Sequence, residues 1–278
     1  MTSTGDFERG GCAVLAGRRL SQIVARRPPG VTGNQWQTAS RARLDFVVVD
    51  GAGAPAFAVV LAGTGAGGGT GVGAGVGAES VRLDRATEAV CATVGLGLLR
   101  IESATLRPEP HGRRIVEYVL DARAFAAGSA ADHDASPRFR EIIGRLPDGR
   151  EGFVNDLGAL ARAAAIEAYA GRLLADPLLR GLRARWRSGP AEGWGWLDVR
   201  DGACLFERVV LHARRMSCGV YPDQLAEDLA ALAVGERLRA LEDGTPALDP
   251  KGRLAADLDG LRRRRNELVE PAFDHICL

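Results

Sequence analysis

Asp45 is the side chain in this sequence that most clearly calls for a chemical role. It precedes Phe46-Val-Val-Val49 in a run that otherwise reads as a strand, and a carboxylate there is costly to bury without a partner. Further acids follow at Glu79, Asp84 and Glu88 in a charged helical pattern, where helix geometry turns only one face inward. Asp45, Glu79 and Asp84 are the candidate catalytic carboxylates. The bland alternatives are a strand carboxylate satisfied by Arg43 or Arg82, and a solvated helix face pairing Asp84 and Glu88 with Arg85 or Arg82. A second set is basic: Arg180, Arg183, Arg185 and Arg187 surround Trp186, and Arg262 to Arg265 run together. Arginines neutralise phosphates and an aromatic ring stacks a base, so with Arg82 these are candidate nucleic-acid contacts. The alternative is a solvated helical face balanced by nearby acids. A third set is Gly63-Thr-Gly-Ala-Gly-Gly68, a formal GxGxxG after a strand, with Glu102 where a ribose-binding acid would stand. Such glycines bring backbone N–H groups to a pyrophosphate at a helix N-terminus. Here about ten more loop residues precede Glu79, and the motif needs its strand–helix context. His111, His133, His212 and His275 show no ligand spacing, and no Ser/His/Asp or Cys/His arrangement is legible.

The elements that must position these residues follow from pattern. Leu44–Val49 and Phe57–Ala62 read as strands joined across Asp50–Pro55, because Gly and Pro punctuate the gap. A helix over Ser80–Val94 and a buried strand at Leu98–Ile101 complete a crossover unit. Gly63–Ala78, nearly all Gly with Ala, Thr and Val, is expected to be a mobile loop. Upstream, the pattern predicts a short helix over Asp6–Ala16, an edge strand at Arg19–Ala25, and a turn-rich Val31–Ala42 with Trp36 pinned against the core. Arg113–Ala126 is an amphipathic helix that closes a first domain (1–126), and 127–137 is a linker. The second domain, 138–278, reads as mainly helical, with helices over Phe153–Leu174, Leu225–Leu241 and Leu254–Val269. Trp194–Val199 and Ala203–His212 fit strand or helix equally, since periodicity does not separate the two in short apolar runs.

The bulk numbers narrow the partners. With 278 residues, 46% of them hydrophobic, and a formal net charge of +1, the chain has ample core and no global drive toward nucleic acid or an anionic membrane. Lys251 is the only lysine, so no Walker A loop is possible; the abundance of Arg, Ala and Gly fits high-GC coding bias. Five widely spaced cysteines without a CxxC pair argue against a disulfide framework or a zinc ribbon. With no apolar leader and no 18-residue apolar window, the expectation is a cytoplasmic protein with no membrane partner.

The sequence also resembles a known family. Leu44-Asp45-Phe-Val-Val-Val-Asp50, the strand ending Leu61-Ala-Gly63, Arg82-Leu-Asp84 and Gly95-Leu-Gly-Leu-Leu-Arg-Ile101 are similar to a bacterial family of unknown function in the PD-(D/E)XK nuclease superfamily. The resemblance covers roughly residues 6–101. It implies an α/β, restriction-endonuclease-like mixed sheet flanked by helices, with the element order helix, strand, strand, strand, helix, strand. It also implies Mg²⁺ held by carboxylates of two neighbouring strands for phosphodiester hydrolysis. Aligned on Leu61 and Gly63, however, the family's acids fall on Val60 and Ala62, and its lysine is absent. Asp45 alone is a poor magnesium site, because the ion prefers several hard oxygens in near-octahedral geometry. The expectation is a nuclease-like module that has lost catalysis, has no cofactor, and binds or scaffolds DNA, RNA or another protein. The alternatives are an active Mg²⁺-dependent endonuclease with relocated carboxylates and a dinucleotide-binding Rossmann-like protein.

Overall fold

A computed structural model describes residues 5–63, 74–129, 139–244 and 247–269. Contacts divide the chain into two compact units. The first holds Met1–Glu102, Leu106–Ala124 and His212–Cys218; the second holds Ser103–Thr105, Phe125–Leu211 and Gly219–Leu278. Both combine strands and helices, as the α/β reading expects. Among the described residues no helix is long and apolar enough to cross a membrane.

The first unit opens on a hairpin, β1 (Phe7–Arg9) and β2 (Cys12–Arg19), in place of the helix expected over Asp6–Ala16. Gly10 and Gly11 carry φ of 58° and 74°, the left-handed pair that a tight two-residue hairpin turn demands. The edge strand expected at Arg19–Ala25 is instead a single helical turn, α1 (Leu20–Ile23). The turn-rich stretch contains a helix, α2 (Gly33–Ala39), started by a capping box. The Gln35 N–H donates to Thr32 Oγ1 at 3.2 Å and the Thr32 N–H to Gln35 Oε1 at 3.0 Å, which satisfies two otherwise orphaned donors.

The expected centre of the unit is present. β3 (Arg43–Val49) and β4 (Pro55–Gly63) pair antiparallel. Their turn is held by Asp50 Oδ1, which accepts from the N–H groups of Ala52 and Ala54 at 3.0 and 2.9 Å. Helix α3 (Ala74–Val94) leads to β5 (Gly97–Ser103), and the sheet order is β1-β2-β3-β4-β5. Of the expected glycine loop, 64–73 lies outside the described residues and Ala74 onward is already helix. One face of the sheet packs Val47, Ala58 and Leu98 against Val90 and Cys91 of α3, with half-buried Trp36 at the margin. On the other face, Phe46 sits so close to Gly112, just before α4 (Arg113–Ser129), that a Cβ there would collide with its ring. The element order thus begins with a strand pair where the family resemblance implied a helix.

The second unit contains the expected helices, with altered bounds and more strand than its alanine- and leucine-rich texture announces. A small hairpin, β6 (Ile143–Arg145) and β7 (Glu151–Phe153), precedes α5 (Ala159–Ala170), so Phe153 lies in a strand and the helix starts later than expected. β8 (Arg180–Arg185), β9 (Ala191–Arg200) and β10 (Ala203–Arg214) pair antiparallel, which settles both undecided runs as strands. Helix α6 (Pro222–Glu242) lies on β9 so closely that a Cβ on Gly193 would strike the Ala226 backbone. After the two-residue β11 (Asp249–Pro250), paired to the start of β10, α7 (Lys251–Arg263) covers the opposite face over Trp194 and Trp196.

Candidate functional site

Asp45 lies where β3 and β4 stop pairing. Their register runs from Val49 back to Phe46, opposite Val59, and no ladder pair follows. Instead, Asp45 Oδ2 accepts the N–H of Leu61 at 2.7 Å. The side chain thereby satisfies a backbone donor that the diverging strands would leave unpaired. Burial pushes the Asp45 carboxyl above its ordinary range, against the opposing pull of the Leu61 N–H and of Arg43. The half-buried carboxylate lines a hollow of 540 Å³ that also meets Arg43, Phe46, Pro108 and Glu109.

The other expected acids do not share this hollow. Asp84 and Glu88 line a smaller one on the α3 side, with Val60 and Arg100. There Arg100 of β5 forms an ion pair with Asp84 and donates from Nε to Glu102 Oε1 at 3.0 Å. Burial works against the Arg100 charge, but the hydrogen bonds and charges of Asp84 and Glu102 outweigh it and raise its pKa. Glu79 is exposed and lines a third hollow with Arg41 and Arg82. Val60 packs against the α3-side core, and Ala62 is half-buried. Among the described residues Arg43 is the only one that borders the hollows of both Asp45 and Asp84.

A magnesium ion does not fit this residue set. One Asp45 oxygen is committed to a backbone N–H, the neighbouring β4 positions Val60 and Ala62 are apolar, and Asp84 of α3 is already paired with the Arg100 guanidinium. Among the described residues no three His, Cys, Asp or Glu side chains converge as a metal cluster would require. All of the Gly63–Gly68 motif beyond Gly63 lies outside the described residues.

Of the arginines around Trp186, Arg180, Arg183 and Arg185 are on β8 and not on a helical face, Arg187 lies in the turn beyond it, and most are engaged. Arg180 pairs with Asp176 at 2.6 Å and Asp198 at 3.4 Å, Arg183 with Asp223 at 3.8 Å, and Arg187 donates to the Leu268 carbonyl at 2.9 Å. Arg185 lies over the Tyr221 ring. Trp186 itself is buried, and its indole N–H donates to Glu192 at 2.7 Å. Glu192 also accepts from Trp194 Nε1 at 3.1 Å and from Arg208 Nε and Nη2 at 2.9 and 2.7 Å. This buried carboxylate, which no sequence pattern marks, ties β8, β9 and β10 together. Arg262 and Arg264 pair with Asp259 and Glu267 on their own segment. Arg82, by contrast, is exposed beside Arg41 and Arg85.

Compared with family models, curated proteins and solved structures, the chain matches none.

Proposed function

We propose that the chain is a non-catalytic, nuclease-like binding or scaffolding module of the PD-(D/E)XK type. The observation that carries this reading is the use of Asp45: its oxygen holds the Leu61 N–H at the point where two strands part. Two further features support it. Apolar Val60 and Ala62 stand where a second acid is needed, and Arg100 neutralises Asp84. On this reading no metal is required, and the four described cysteines are free thiols suited to a reducing cytoplasm. The test is incubation of the purified chain with supercoiled and linear DNA in Mg²⁺ or Mn²⁺. Intact DNA is the expected result; cleavage that disappears in Asp45→Asn would overturn the proposal.

A second reading, a metal-dependent nuclease with a relocated acid, has one observation in its favour: Glu109 borders the same hollow as Asp45. It predicts that Glu109→Gln and Asp45→Asn each abolish whatever cleavage exists.

A further inference from the structure

Helices α2 and α3 leave a groove between them whose lining is basic. Thr38 and Arg82 border both of two adjoining hollows, one of 660 Å³ that reaches Gln37, Arg41 and Glu79, the other reaching Arg85. Arg41, Arg82 and Arg85 are all exposed. Among the described residues none of the three forms an ion pair. By contrast, Arg180 and Arg183 of β8 and Arg262 of α7 are each paired with a nearby carboxylate. Among the described residues Glu79 is the one acid lining the groove, so there three positive charges face one negative. The polar remainder, Thr38 and Gln37 among it, offers hydroxyl and amide donors suited to phosphate oxygens.

We infer that this groove receives the phosphate backbone of duplex nucleic acid, without reading sequence. The inference rests on the binding-module reading above and names where that binding occurs. Charge complementarity argues for it: three exposed guanidiniums that form no ion pair among the described residues gain most from a ligand that supplies closely spaced anions and releases condensed counterions. A duplex suits the groove better than a single strand, because no aromatic ring is among the described residues that line it and the tryptophan on α2, Trp36, packs against the core. The α3 side also differs from the Asp45 hollow, so binding and any vestigial chemistry are separable.

The test is fluorescence anisotropy of a labelled, mixed-sequence DNA duplex titrated with the full chain over a range of salt. Wild type is expected to bind at low salt. Replacing Arg41, Arg82 and Arg85 together by Ala is expected to weaken binding at least about tenfold and reduce the salt slope by about 3. Arg262→Ala on α7 is expected to change neither. Glu79→Gln, which removes the groove's acid without deleting a contact, is expected to tighten binding several-fold and guards against a misfolded triple variant. Absence of binding by wild type, an unchanged affinity in the triple variant, or association only with anionic phosphatidylserine vesicles would overturn the inference. Cleavage of the duplex in Mg²⁺ with the arginine effects intact would sink the non-catalytic reading and leave the groove standing.

Discussion

Asp45 Oδ2 accepts the Leu61 N–H at 2.7 Å, at the position where the β3–β4 ladder ends. Amide and methyl replacements separate this structural use of the carboxylate from a catalytic one. Asp45→Asn keeps an oxygen for the Leu61 N–H and removes a charge whose pKa is raised by burial. Because a raised acid pKa opposes folding above the unfolded value and has no effect below it, Asn is expected to match or exceed wild type at pH 7. That difference is expected to vanish as the pH falls below the unfolded carboxylate range, about 3.9. Asp45→Ala leaves the donor unsatisfied and is expected to cost about 1–3 kcal/mol. Urea titrations at pH 7 and under acid conditions check both, and an Asn variant that unfolds as readily as Ala contradicts the assignment.

The Arg100 side chain links α3 to β5 through Asp84 and Glu102. Its replacement by Met removes the guanidinium from two part-buried acids and is expected to lower stability by about 2 kcal/mol. Adding Asp84→Asn is expected to restore part of the loss, a coupling that a double-mutant cycle measures.

Glu192 holds two indole N–H groups and the Arg208 guanidinium. Glu192→Ala strands all three donors and is expected to cost about 3–5 kcal/mol, accompanied by a red shift of tryptophan emission as Trp186 and Trp194 gain water. Glu192→Gln, which retains one acceptor, is expected to fall between Ala and wild type.

Gly193 faces the Ala226 backbone too closely for a Cβ. Gly193→Ala is expected to force α6 off β9 and to cost at least about 1–3 kcal/mol, measured as a lower Tm. Gly252→Ala, where open space surrounds the added methyl, is the control and is expected to be neutral or mildly stabilising.

Burial pushes the thiols of Cys91, Cys204 and Cys218 up to about 11. These three are expected to resist iodoacetamide at pH 8 in the folded chain and to react after denaturation, since the thiolate is the nucleophile. Half-buried Cys12 is expected to label first among the four described cysteines. Peptide mass mapping reads the order directly.

The strands around Asp45 were legible because β-branched runs interrupted by Gly and Pro permit few alternatives. The N-terminal hairpin was not, because Gly10-Gly11 weakens a helix without declaring itself a turn until both residues adopt positive φ. β9 hides its period because α6 and α7 bury both its faces, which removes the alternation of polar and apolar residues. For β8, the alternative of a solvated helical face had a counter-sign in the sequence: Arg183, Arg185 and Arg187 alternate with Leu182, Ala184 and Trp186, a period of two that belongs to a strand. The Arg100–Asp84 pair was out of reach, because it depends on how α3 settles over β5. The charge at Arg100 within the apolar run Leu98–Ile101 was the one available sign.

The central claim is that Asp45 is a structural carboxylate in a module without metal-dependent chemistry. Titration calorimetry of Mg²⁺ and Mn²⁺ into the full chain and into Asp45→Asn tests it most directly. The account predicts no saturable heat from either protein. Stoichiometric binding by wild type that is lost in Asp45→Asn would contradict it and make Glu109 the first residue to examine as a second ligand.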